Sequence, residues 1–341
     1  MKRLLCAMMA LCLLLGGCTS APTGTTSKQY TATFLTLFDT VTTVVGFADS
    51  QEAFQEKAQA IHDDLLVYHQ LFDIYNDYPG IANLKTINDN AGIAPVTVDS
   101  AIIRLLLDCK HYYQLTGGKV NVAMGSVLKL WHDARKDGVR DPMNAKLPDL
   151  EALTAAAAHT DLDQVVIDQE NSTVYLPDPA MRLDVGAIAK GWAIQKVAEA
   201  APEGMLISVG GNVCATGPKK ADGTAWVIGI QNPDGGDYLH TIYVTGGAVV
   251  TSGDYQRTYW VNGQPYHHII DPDTRMPSQY WRSVTVVCAD SGMADALSTA
   301  LFLLPLEEGR ALAEACGAEA FWVDGTGQEF MTAGFANMIR T

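Results

Sequence analysis

Long apolar runs are scarce in this chain. The one near the start, Leu4 to Leu15, is too short to cross a bilayer as a stable helix, and no second run appears. Basic residues are outnumbered, with 23 Lys and Arg against 38 Asp and Glu and a formal charge of −15. That balance argues against non-specific binding to nucleic acid or to an anionic membrane face. Cysteine is used sparingly. Besides those near the start, Cys109, Cys214, Cys288 and Cys316 are widely separated, with no C-x-x-C spacing and no His companions. This excludes a zinc ribbon and speaks against a disulfide framework. Each sits in an apolar stretch and reads as a buried thiol. Internal repeats and low-complexity blocks are also missing.

What remains is ordinary globular material, 48% hydrophobic and 18% charged over 341 residues. Such a chain can bury a large core, as one domain or two joined ones. The first residues look like a processing signal. Lys2 and Arg3 give a positive region, and the short apolar stretch follows. It runs into Leu15-Gly16-Gly17-Cys18, which resembles a bacterial lipoprotein box. The resemblance implies cleavage after residue 17 and a lipid on the Cys18 sulfur, Cys6 and Cys12 leaving with the signal. An ordinary secretory signal that contains Cys is the alternative. A Thr/Ser/Pro/Gly tether follows, so the expected organisation is 1–17 signal, 18–29 lipidated Cys and tether, and 30–341 a single domain.

Residues 30–47 are rich in β-branched and aromatic side chains and read as an opening strand or hairpin. Helical spacing marks 51–70, 99–115, 149–158, 188–200 and 293–304. Residues 133–148 read as a polar surface excursion, 164–176 as a hairpin and 319–324 as a last strand. From 205 to 288, short apolar runs broken by Gly and Asn (LISVGG, AWVIGI, HTIYVTG, AVVTSG, YHHII, SVTVVC) suggest mostly antiparallel pairing. Without regular βαβ alternation the class is α+β, with mixed, mostly antiparallel sheets and packed helices.

Four segments carry possible chemistry. In Leu183-Asp184-Val185-Gly186-Ala187-Ile188-Ala189-Lys190-Gly191, a strand end yields to a small-residue turn and a helix. Helix-start amides favour an anion, and Gly186 lets a ligand approach. Asp184 is placed to cap the helix or to accept hydrogen bonds from a ligand, and Lys190 adds positive charge or is simply solvated. Gly210-Gly211, inside a strand pattern, mark a bulge or a close backbone approach. His267 and His268, if in a strand, point to opposite faces, so only one faces a given site. One of them, near a Ser/Thr-rich turn, is a candidate general base or a structural His. Asp295 and Thr299, four apart, share a helix face. Together they suit a hard cation such as Mg²⁺ shared with phosphates, or are a helix cap and a back-bonded hydroxyl.

In this order, LDVGAIAKGWA, ISVGGNVCATG, VTSGDYQR, YHHIIDPDT and ADALSTALF resemble the ApbE-like FAD:protein FMN transferases. TINDNAG…PVTV (86–98) and TGGKVNVAMGSVLKLW (116–131) match more weakly. The resemblance implies FAD held in a cleft between two lobes and Mg²⁺ bound by Asp295, Thr299 and the Ala187 carbonyl. It implies FAD contacts at Phe38, Tyr75, Lys119, Val120, Asn121, Asp184, Lys190, His268 and Ile270, with His268 and Asp184 in the catalytic set. Two stretches depart from the common pattern: Val120-Asn121-Val122, where relatives often show Phe-Asp-Pro or Met-Asp, and Phe38-Asp39-Thr40, where Met-Gly-Thr is common.

The implied reaction is attack by a protein Thr or Ser hydroxyl on the FMN-side phosphorus of FAD, with AMP leaving. Water in place of that hydroxyl would make the protein an FAD pyrophosphatase. A non-enzymatic flavin-binding lipoprotein is a third reading. Few cations are expected near the site of so acidic a chain, which makes the metal more necessary. Family acceptors carry a Ser/Thr-Gly-Ala-Ser/Thr motif that this sequence lacks, so the expected partner is another extracytoplasmic protein. A redox-complex subunit or an electron-transfer lipoprotein fits.

Overall fold

A computed structural model describes residues 27–341. The signal, the lipoprotein box with Cys18, and most of the tether lie outside the described residues, so those expectations stay with the sequence. The chain opens as a hairpin, β1 (Lys28–Leu37) and β2 (Thr40–Ala48), followed by α1 (Gln51–Phe72). Then come α2 (Leu84–Asp89), β3 (Val96–Thr97), α3 (Ser100–Leu115), α4 (Gly125–Arg140) and α5 (Leu150–Ala157). The middle holds β4 (Val166–Asp168), β5 (Thr173–Tyr175), α6 (Ala189–Ala200), β6 (Leu206–Val209), β7 (Asn212–Ala215), β8 (Trp226–Ile230) and β9 (His240–Val244). Next are β10 (Gly247–Gly253), β11 (Tyr259–Val261), β12 (Gln264–Tyr266), β13 (Trp281–Cys288), α7 (Ser291–Phe302) and α8 (Leu306–Ala315). The chain closes with β14 (Glu319–Asp324), β15 (Glu329–Met331) and α9 (Ala333–Met338).

An eight-stranded sheet in the order β1-β2-β6-β7-β10-β13-β14-β15 is the frame, and every neighbouring pair is antiparallel. Helices α1, α6, α7 and α8 pack on one face over the main core. The β8–β9 hairpin and α9 close a smaller core on the other face. A third apolar cluster joins α4, α5 and the β11–β12 hairpin into a smaller lobe. The class is α+β, as the sequence pattern predicts.

Local chemistry explains the helices that position the site. In α1 the buried residues Phe54, Ala58, Ile61, Leu65 and Phe72 repeat at helical spacing, and the Ser50 hydroxyl caps the start by accepting from the Ala53 amide at 3.2 Å. Ser50→Ala would cost about 1 kcal/mol. Helix α7 is apolar nearly all round because it lies between α6, α8 and strands β10 and β13, and Asp290 caps it by accepting from the Met293 amide at 2.7 Å.

Three local expectations change. The stretch 133–148 is not all surface excursion: α4 runs on to Arg140, because Val127, Trp131 and Gly138 keep one buried face, and a short turn at Pro142–Asn144 follows. Gly210-Gly211 form no bulge. They are the two central residues of the β6–β7 hairpin, both at positive φ (56° and 95°), a turn that fits the strand twist and suits Gly. The YHHII run is not a strand, since β12 ends at Tyr266 and only Ile270 pairs again, in an isolated bridge to Pro277.

Candidate active site

A cavity of about 540 Å³ lies between the main sheet with α6 and α7 and the smaller lobe with α4 and β11–β12. That is within the usual range for a ligand-sized cleft. Phe38, Tyr75, Lys119, Val120, Asn121, Asp184, Ala187, Lys190, His268, Ile270, Asp295 and Thr299 all line it. These twelve residues, drawn from distant parts of the chain, thus border one cavity.

The start of α6 is irregular in a way that matters. Its N-cap position, Ile188, offers no side-chain cap. As the third residue of α6, Gly191 carries an amide that no helix carbonyl accepts. It donates to Asp295 Oδ2 at 2.8 Å, and the Ala187 carbonyl, just before the helix, takes no backbone hydrogen bond. The two helices approach so closely that a Cβ on Gly191 would lie 2.3 Å from the Ser291 carbonyl oxygen and 2.5 Å from Asp295 Cβ. Lys190 Nζ reaches the Gly186 carbonyl at 3.3 Å and Asp295 Oδ2 at 3.5 Å. Asp295 is 3% exposed. One turn on, it is Ser298 rather than Thr299 whose hydroxyl folds back, donating to the Asp295 carbonyl at 2.9 Å and meeting Ser252 Oγ at 2.8 Å.

This corner fits a hard divalent cation. It offers a carboxylate, a hydroxyl and an uncommitted backbone carbonyl, all oxygen, on the wall of one cavity. Among the described residues no group of three or more His, Cys, Asp or Glu side chains could hold a metal. The donor set is therefore sparse and suits Mg²⁺, which keeps waters and takes substrate phosphate oxygens, rather than zinc.

Asp184 does not cap α6. Its amide donates to the Val122 carbonyl at 2.8 Å, and its Oδ1 accepts from the Gly186 amide at 2.9 Å, closing a tight turn. Burial raises its carboxyl above the ordinary value, opposed by that amide and by the positive fields of His132 and Arg257.

Along the other wall, Lys119 Nζ is held by Asp271 at 3.1 Å and Asp273 at 2.7 Å, so its charge is largely neutralised. Val120 is buried, with its amide on Thr116 Oγ1 at 3.1 Å. The Asn121 side chain is spent on the Thr160 carbonyl and the Ala123 amide, both at 2.9 Å. These three residues present mainly backbone and surface to the cavity.

Phe38 and Asp39 form the tip of the first hairpin, both at positive φ (52° and 53°), a costly conformation for non-glycine residues. The Phe38 ring meets His69 edge-on with centroids 5.5 Å apart, and its amide donates to His69 Nδ1 at 3.2 Å. Tyr75, half exposed, stacks on His132 with centroids 5.1 Å apart. Burial first and the Asp184 carboxylate second push its hydroxyl up to about 12, so it stays protonated.

Contrary to the strand-based expectation, His267 and His268 both border the cavity, because the segment after Tyr266 is irregular. His268 Nδ1 is buried with no partner among the described residues. Burial, then the charges of Arg257, His267, Arg135 and Lys190, lower its pKa to about 3, so the ring is neutral.

Arg257 enters the sequence reading only as the last residue of VTSGDYQR and Arg135 not at all, yet both line the cavity with Lys190. The site of this acidic chain is therefore not poor in cations. Arg135 Nη1 donates to the Arg257 carbonyl at 3.4 Å and Nη2 to His132 Nδ1 at 3.3 Å. Burial and the neighbouring Arg257 make Arg135 easier to deprotonate than usual. Arg257 itself sits at a φ of 49°. Arg135 stands one turn after Trp131, whose burial marks a face of α4 but not what Arg135 meets across the cavity.

Fold and site together define an α+β protein with a ligand-sized cleft between its main sheet and a smaller lobe. The ApbE family's sequence profile matches residues 35–322, and the chain belongs to the ApbE family. It is 34% identical over 277 residues to a Treponema pallidum protein named FAD:protein FMN transferase, a match covering 75% of each chain. A Klebsiella pneumoniae protein of the same name is 33% identical over 261 residues, covering 73% of this chain and 78% of its own. The crystal structure of the ApbE protein from Thermotoga maritima superposes with a TM-score of 0.81 at 30% identity, over 92% of this chain and all of the other. The flavin transferase ApbE from Vibrio cholerae, at 23% identity, shares the fold with a TM-score of 0.74, over 92% of this chain and 99% of its own.

Proposed function

We propose that this chain is a Mg²⁺-dependent flavin transferase that moves FMN from FAD to a Ser or Thr hydroxyl of another protein and releases AMP. The names of its relatives support the FAD-to-protein transfer. The observation that carries the chemistry is that Asp295, which caps the Gly191 amide, and Thr299 line one cavity with the Ala187 carbonyl, which takes no backbone hydrogen bond.

Asp295, Thr299 and the Ala187 carbonyl would hold the Mg²⁺, whose chemistry there would be neutralisation of charge developing on the leaving phosphate. Arg135, Arg257 and Lys190 supply the positive field that draws two phosphates into a protein of charge −15. Tyr75 and Phe38 offer ring faces and edges to a planar flavin. The acceptor oxygen forms a bond to the FMN-side phosphorus as the bond to the bridging oxygen breaks. AMP leaves with that oxygen and its electron pair, and the acceptor's proton passes to His268 Nε2. In the free protein His268 is a weak base, because burial and three neighbouring cations disfavour its charged form. A pyrophosphate offsets those cations and raises the proton affinity of the ring when substrate is bound.

The leader and Cys18 support an extracytoplasmic lipoprotein that touches the membrane through its lipid alone, acting on acceptors with a Ser/Thr-Gly-Ala-Ser/Thr motif. Incubating the protein with FAD, Mg²⁺ and such an acceptor should give flavin fluorescence on the acceptor band in a denaturing gel. AMP release that is unchanged by acceptor, with no labelled band, would make it a pyrophosphatase instead. A Cys18→Ser chain that still fractionates with membranes would remove the anchor.

A further inference from the structure

Two features of the segment after β12 need a common explanation. His268, the proton acceptor of the proposed reaction, has no hydrogen bond at Nδ1 to orient its ring, since that atom is buried without a partner among the described residues. Its placement therefore depends on the backbone that carries it. That backbone is an irregular excursion, 267–278, which leaves the β11–β12 hairpin and returns to enter β13.

The excursion is closed at its base by the ring of His267. His267 Nε2 donates to the Ser278 carbonyl at 2.7 Å, and Nδ1 accepts from the Ile269 amide at 3.2 Å. One neutral imidazole, fixed in the Nε2–H form, thus ties the first and last residues of the loop and also the residue just past His268. Backbone bonds continue inward from this staple: Ser278 amide to Ile269 carbonyl at 3.1 Å, and Asp271 amide to Met276 carbonyl at 2.9 Å. The staple is also fixed to the cation-corner helix. The His267 ring meets Phe302 of α7 edge-on, with centroids 5.6 Å apart, and Ser278 Oγ donates to the Phe302 carbonyl at 3.0 Å. Helix α7 carries Asp295 and Thr299.

We infer that His267 is a positioning residue for the transfer step. Its two ring nitrogens close the loop that presents His268, and its ring edge on Phe302, with the Ser278 hydroxyl, fastens that loop to the helix that presents Asp295 and Thr299. The inference rests on the transferase reading of the site. It predicts a division of labour between adjacent histidines, one acting on the proton and the other on the geometry of the first.

The bonds are separable by substitution. His267→Phe keeps a ring against Phe302 and loses both bonds. His267→Gln keeps a donor long enough for the Ser278 carbonyl. His267→Asn keeps an acceptor at the place of Nδ1 for the Ile269 amide but lacks the reach to Ser278. Each is measured with FAD, Mg²⁺ and acceptor peptide for single-turnover transfer, FAD affinity by flavin fluorescence, and thermal midpoint. His267→Phe should slow transfer roughly 10- to 100-fold, with FAD affinity within about threefold of the wild type. His267→Gln, which keeps the shorter bond, should recover most of the rate, and His267→Asn less.

Transfer by His267→Phe at the wild-type rate would overturn the inference. So would FAD affinity that falls in step with the rate, which would make His267 a substrate contact. If His267→Phe does not fold, the order of the other two decides: Asn equal to or better than Gln overturns the proposal. Wild-type protein that labels no acceptor at all would instead overturn the transferase reading, and the two failures are therefore distinct.

Discussion

The amide of Gly191 donates to Asp295 Oδ2 at 2.8 Å, so a carboxylate of α7 caps the first turn of α6, while the Ser291 amide of α7 donates back to Gln195 Oε1 of α6 at 2.8 Å. The contact tolerates no side chain, because a Cβ at residue 191 would meet the Ser291 carbonyl at 2.3 Å. Gly191→Ala should therefore push the helices apart and cost about 1–3 kcal/mol despite its better helix propensity. Denaturant unfolding checks the stability, and the Mg²⁺ concentration needed for half-maximal turnover should rise as well.

Charge and shape at the cation corner are expected to separate. Asp295→Asn can still accept from the Gly191 amide but carries no charge, so its thermal midpoint should stay near that of the wild type. Its Mg²⁺-dependent turnover should fall roughly 10²- to 10³-fold. Thr299→Val should weaken the Mg²⁺ dependence by about tenfold, and Thr299→Ser should restore it. Turnover measured against Mg²⁺ concentration distinguishes all three, and an unchanged Asp295→Asn would remove the corner from the mechanism.

Acid stability should report the neutral burial of His268. Its folded pKa is depressed to about 3, whereas an unfolded His titrates near 6.5. Between those values the unfolded chain binds the extra proton, so the stability contributed by this group is complete above about 6.5 and is lost as pH falls toward 3. His267, also lowered chiefly by burial, adds a loss of the same sign. The slope from His268 alone is at most about 1.4 kcal/mol per pH unit. Urea unfolding of the wild type and His268→Asn between pH 7 and 4 should show the variant losing less. Parallel curves would mean the ring is solvated.

The two arginines should matter for substrate affinity more than for folding. Arg257→Ala and Arg135→Ala are each expected to weaken FAD binding roughly 10- to 100-fold. The salt dependence of binding should shrink in both variants, since a screened attraction has been removed. Fluorescence titration of FAD at two ionic strengths tests this.

The small-residue turn before α6 and the Asp295–Thr299 spacing read equally well as a capped helix and a back-bonded hydroxyl, and only the family resemblance joined them into one site. The structure brings both segments to the same cavity. Arg135 was not legible. Its partner is the carbonyl of Arg257, 122 residues away, and periodicity says which face of α4 is buried but not what lies across from it. Sheet order failed to emerge for the same reason, since β2 pairs with β6 across a long stretch of intervening helices. Of the two readings of the double glycine, the close backbone approach holds, with the Gly210 amide 3.1 Å from the Val41 carbonyl, and the bulge fails, since a strand-like run on both sides hides the reversal that the register of Val209 with Asn212 reveals. The paired histidines read as strand because Tyr, Ile and His favour extended backbone, while Asp271 and Pro272 just beyond turn the chain into a loop.

The tips of the two hairpins, β1–β2 and β6–β7, touch: the Gly210 amide donates to the Val41 carbonyl at 3.1 Å, and a Cβ on Gly210 would lie 2.7 Å from Thr40 Oγ1. Positions 40 and 210 are therefore not free to vary independently through evolution. A lineage that gained a side chain at 210 would need both a left-handed backbone there and a smaller neighbour at 40, so drift at this rim of the cleft proceeds by paired replacement or not at all.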